Sequence, residues 1–61
     1  GGYVPTEEEV LEAINTASGK IKEKDSEAVF KACDTIQIAY DWYVISGQQE
    51  YADALLPYIN V

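Results

Sequence analysis

Sixty-one residues make a single domain near the lower size limit for folding alone, too short to build a deep catalytic pocket. Four lysines, no arginine, no histidine and eleven acids leave a net charge of −7. That balance argues against direct nucleic-acid binding, which needs cations to displace the counterions of phosphate, and against anionic membrane surfaces.

Tyr3-Val4-Pro5 reads as an extended lead-in, because a residue before proline avoids the α region. Thr6 and Glu9 have capping-box spacing, with Val4 available as a hydrophobic staple. Glu7, Glu8 and Glu9 then match the positive end of the helix dipole. The first helix carries Val10, Ile14, Ala17 and Ile21 on one face, with Leu11 and Ala13 flanking. Two ends are open to it. Either Gly19 is a C-terminal cap, or the helix runs on to residue 23, since Ile21 stays in phase and one interior glycine costs only ~1 kcal/mol. The phase favours continuation, giving a first helix over 7–23.

Asp25 or Ser26 is the next N-cap. The pair resembles the Asp-Ser site that carries phosphopantetheine in acyl carrier proteins. Glu27, however, stands where that family has an apolar residue, and capping accounts for both side chains.

The second helix, over 26–46, is the longest stretch free of glycine and proline. At about 100° per residue, Val29, Ala32, Cys33, Ile36, Ala39, Tyr40, Tyr43 and Val44 share one arc. That arc is wide enough to meet two neighbouring helices, with Phe30 at its edge. Ile38, Trp42 and Ile45 fall almost opposite, at i, i+4 and i+7. A helix whose core arc is already engaged leaves this stripe to another partner, unless the third helix or the lead-in with Tyr3 and Val4 wraps over it. Asp34 and Asp41, seven residues apart, lie beside it as an acidic rim, with Gln37 nearby. Gly47 supplies the left-handed residue that ends the helix.

The third helix, over 48–59, presents Tyr51, Ala54, Leu55 and Tyr58, and Pro57 is expected to end or kink it near Leu56. The expected fold is therefore all-α: a single small three-helix up-down-up bundle with a long central helix. Its expected core is Val10, Ile14, Ala17, Ile21, Val29, Ala32, Ile36, Ala39, Tyr43, Tyr51, Leu55 and Tyr58. Tyr40, Tyr43, Tyr51 and Tyr58 suggest an aromatic layer between the second and third helices.

Chemistry is sparsely represented. The single Cys33 excludes an internal disulfide, fits a reducing cytoplasm and lacks a histidine to activate it. There is no nucleophile–base pair, no glycine-rich phosphate loop and no metal-ligand spacing, so no catalytic residue, metal or cofactor is expected. What remains is a non-enzymatic acidic protein-interaction module, using Ile38, Trp42, Ile45, Asp34 and Asp41 against a basic protein. Several phage-encoded inhibitors and bacterial immunity proteins are likewise small, acidic and helical, and the chain is similar to them at that level. The alternative is a structural homodimer, or a helical piece of a larger assembly protein, closed through the same stripe.

Overall fold

A computed structural model of the chain describes residues 3–19 and 26–59. These form three helices, α1 (Glu7–Ala17), α2 (Ser26–Ile45) and α3 (Gln49–Ile59). The expected all-α bundle with a long central helix is what the chain adopts, and no strand occurs among the described residues. α1 and α3 each pack on α2 and barely meet one another. The early α1 residue Val10 shares a cleft with Tyr43 late in α2, whereas Thr16 late in α1 shares one with Ala28 early in α2. The two helices are therefore antiparallel.

α1 starts where the sequence places it. The Glu9 N–H donates to Thr6 Oγ1 at 3.2 Å and the Thr6 N–H donates to Glu9 Oε1 at 3.0 Å, so both halves of the capping box form. The buried lead-in residue is Pro5, not Val4, which is exposed. Pro5 immediately precedes the N-cap, and that is the position that folds back on the first helical turn.

The far end of α1 corrects the expected run to residue 23. The helix stops at Ala17, Ser18 caps it, and Gly19 takes φ +77. The Ser18 N–H donates to the Ile14 carbonyl at 2.9 Å and the Gly19 N–H to the Thr16 carbonyl at 3.3 Å. Hydroxyls close further carbonyls, from Thr16 to Glu12 at 3.0 Å and from Ser18 to Asn15 at 3.2 Å. A glycine in the left-handed region costs nothing sterically, whereas one inside a helix loses backbone freedom for no packing gain. Ile21, placed in the core from its phase, and Asp25, one of the two expected caps of the second helix, lie outside the described residues, and the other, Ser26, is the first residue of α2.

α2 ends in a complete Schellman motif. The Gln48 N–H donates to the Tyr43 carbonyl at 2.7 Å, the Gly47 N–H to the Val44 carbonyl at 3.3 Å, and Gly47 has φ +79. Three residues thus reverse the chain into α3. Pro57 does not end that helix, which continues to Ile59. Proline lacks the N–H for the carbonyl four residues back. The loss falls in the last turn, and Tyr58 and Ile59 beyond it pack against the core.

The buried core is Val10, Ala13, Ala32, Ile36, Ala39, Ala52 and Leu55. Four of the seven are alanines, which let helix axes approach closely. Ile36 is the one large side chain wholly enclosed among the described residues. Ile14, Ala17, Val29, Tyr43 and Tyr58 are half-buried rather than buried. Two expectations fail outright: Tyr51 is 55% exposed, and Phe30, expected to cap the core arc, is 71% exposed. Because α3 packs on α2 alone, it turns the small Ala52 inward and leaves the bulk and hydroxyl of Tyr51 at the edge.

Candidate partner-binding face

The three apolar residues opposite the core of α2 stand where their phase puts them. Ile38 is 40% exposed, Trp42 42% and Ile45 79%. Trp42 follows Thr35 by seven residues and so shares its face. Thr35 lines the cleft between α1 and α2, so Trp42 sits on the α1 side of the outer surface.

Asp34 and Asp41 are exposed on the same surface, beside Ile38 and Ile45. The Gln37 side-chain amide donates to Asp41 Oδ1 at 3.0 Å, one turn away. That contact engages one of the two Asp41 carboxylate oxygens. The acids have apolar neighbours on both flanks. On the far side stand Phe30 and Val44, which is 42% exposed. Both stand at or near the edge of the core arc expected from the sequence, which is wider than the strip of α2 that is buried. The outer face of α2 is thus an apolar band with carboxylates set into it.

Two further surfaces flank the bundle. A polar cleft of ≈ 320 Å3 between α1 and α2 is lined by Glu9, Glu12, Thr16, Lys31 and Thr35. A groove of ≈ 290 Å3 between α1 and α3 is apolar, with Val10, Leu11 and Ile14 on one wall and Tyr51 and Leu55 on the other. Tyr43 forms part of its floor, with its ring centroid 5.4 Å from that of Tyr51 and the planes tilted by 37°. This pair is what the structure retains of the expected aromatic layer.

At the entrance to α1 the Tyr3 hydroxyl donates to Glu9 Oε2. Hydrogen bonds from the Thr6 backbone and then from Tyr3 hold the Glu9 carboxyl below its ordinary range. The same Glu9 contact raises the Tyr3 phenol above its own. Cys33 is half-buried as a free thiol. Among the described residues no group of His, Cys, Asp and Glu is arranged to hold a metal ion, and no helix is long and apolar enough to cross a membrane. No protein-family model matches this chain, nor does any curated protein or any solved structure.

Proposed function

We propose that the chain is a non-enzymatic interaction module that binds a basic protein stoichiometrically through the outer face of α2. The observation that supports this most is the exposure of Ile38, Trp42 and Ile45 on the side of α2 opposite its buried residues. Isolated exposed apolar residues are ordinary, but three on adjacent turns, one of them tryptophan, form a patch on the scale of interfaces. Asp34 and Asp41 beside it, and a net charge of −7, favour a cationic partner and speed encounter with it. An inhibitor or immunity-type protein that masks the nucleic-acid surface of a basic protein is the most concrete form of this role.

A homodimer is the second reading, favoured by the thinness of the core. With Ile36 the one wholly enclosed large side chain, a seam through Trp42 would add burial that the monomer lacks. It would also set Asp34 and Asp41 of two copies close together.

Sedimentation equilibrium from low to high micromolar concentration, at two salt concentrations, separates the readings. A monomer throughout leaves the face free for a foreign protein, and a dimer that persists on dilution assigns it to self-association. Trp42→Ala should keep the helical circular dichroism, because the indole is 42% exposed. It should weaken partner binding by ~2 kcal/mol, about thirtyfold. Loss of the fold in that variant would return Trp42 to the core and overturn the interface.

A further inference from the structure

α1 and α3 lean on α2 from two sides without closing on each other, so the bundle is open along a fourth side. That side is the apolar groove of ≈ 290 Å3. Its walls end in Leu11, 62% exposed, and Tyr51, 55% exposed, and the one charged side chain lining it is Glu7. We infer that this groove is a second docking surface, separate from the outer face of α2, and that its occupant is an amphipathic helix of a partner protein. That helix carries a ridge of leucine-like residues, with a Lys or Arg placed to meet Glu7.

The shape selects a helix. The groove is lined by residues 7–14 of α1 and 51–55 of α3, about 12 Å and about 8 Å of wall, which matches one to two turns of a fourth helix laid between them. No strand edge exists among the described residues for an extended segment to pair with, so recognition falls to side chains fitted into a groove. Charge selects the sign of the partner. A second copy of this chain docked here about a two-fold axis would bring two Glu7 side chains and two net charges of −7 together, whereas a cationic helix neutralises both.

The test is a titration of the isotopically labelled protein with a synthetic helical peptide, read by amide chemical shifts. The peptide carries leucines at i, i+3, i+4 and i+7 and lysines elsewhere, and a scramble of the same composition is the control. Saturable shifts are expected at Leu11, Ile14, Tyr51 and Ala54, with the scramble bound at least ~tenfold more weakly. Leu11→Gln and Tyr51→Gln should each lower affinity at least ~fivefold while leaving the circular dichroism unchanged, since both side chains are mainly in solvent. Trp42→Ala should leave this binding intact, so the groove and the α2 face stand or fall separately. Shifts confined to Ile38, Trp42 and Ile45, equal binding of the scramble, or shifts at the groove that appear on concentrating the protein alone would each overturn the proposal.

Discussion

The Glu9 carboxylate accepts from two groups, the Thr6 N–H and the Tyr3 hydroxyl, while the Glu9 N–H donates to Thr6 Oγ1. The box was legible in the sequence because it is local, needing only two residue types three apart. The Tyr3 contact was not, since it depends on how the lead-in turns at Pro5. A carboxyl whose folded value is lowered adds stability that is present above the ordinary carboxylate range and is lost as pH falls through the lowered value. Acid melts of the native chain and of Glu9→Gln should therefore converge, the native chain keeping its advantage at neutral pH and losing it as pH falls below the ordinary carboxylate range. Protonation of the other acids relieves repulsion equally in both proteins, so the difference between them is the readout. Parallel curves would remove Glu9 from the stability of α1.

Helix ends behave less uniformly than helix faces. Gly47 ends α2 as its position suggests, but Gly19 also ends α1, although an isoleucine two residues on keeps the phase. Phase is a statement about side chains, and a glycine with satisfied carbonyls around it is a statement about the backbone. At Gly19 the backbone prevails. The rotation of α3 was equally hidden: Tyr51, Ala54, Leu55 and Tyr58 do share a face, yet the helix rolls to bury Ala52 and Leu55 instead. Hydrophobic pattern alone does not reveal that α3 has one neighbour rather than two. At Gly47 the space beside the α carbon is open, so a methyl group there meets nothing within 4 Å. Gly47→Ala should nevertheless destabilise the protein by about 1 kcal/mol, through the left-handed φ alone. Urea unfolding checks this. A neutral result would show that the turn relaxes without cost.

For the whole molecule, the all-α class and the exposed stripe were readable because both follow from the 3.6-residue period of α2. The open side between α1 and α3 was not, because it depends on which helices touch. A domain of this length holds roughly 3–9 kcal/mol of stability. Ile36→Ala, removing the one wholly enclosed large side chain, should cost ~2–5 kcal/mol and leave much of the population unfolded at 37 °C, as urea titration would report. A loss under ~1 kcal/mol would mean that the helices close over the gap. The alanines around Ile36 have a mechanical consequence. A methyl group offers no knob to lodge in the facing helix, so Ala13 on α1 and Ala32 on α2 make a smooth bearing surface rather than a set of teeth. Rolling or sliding of α1 along α2 therefore meets resistance chiefly at Val10 and Ile14, which makes those side chains the detents that set its angle.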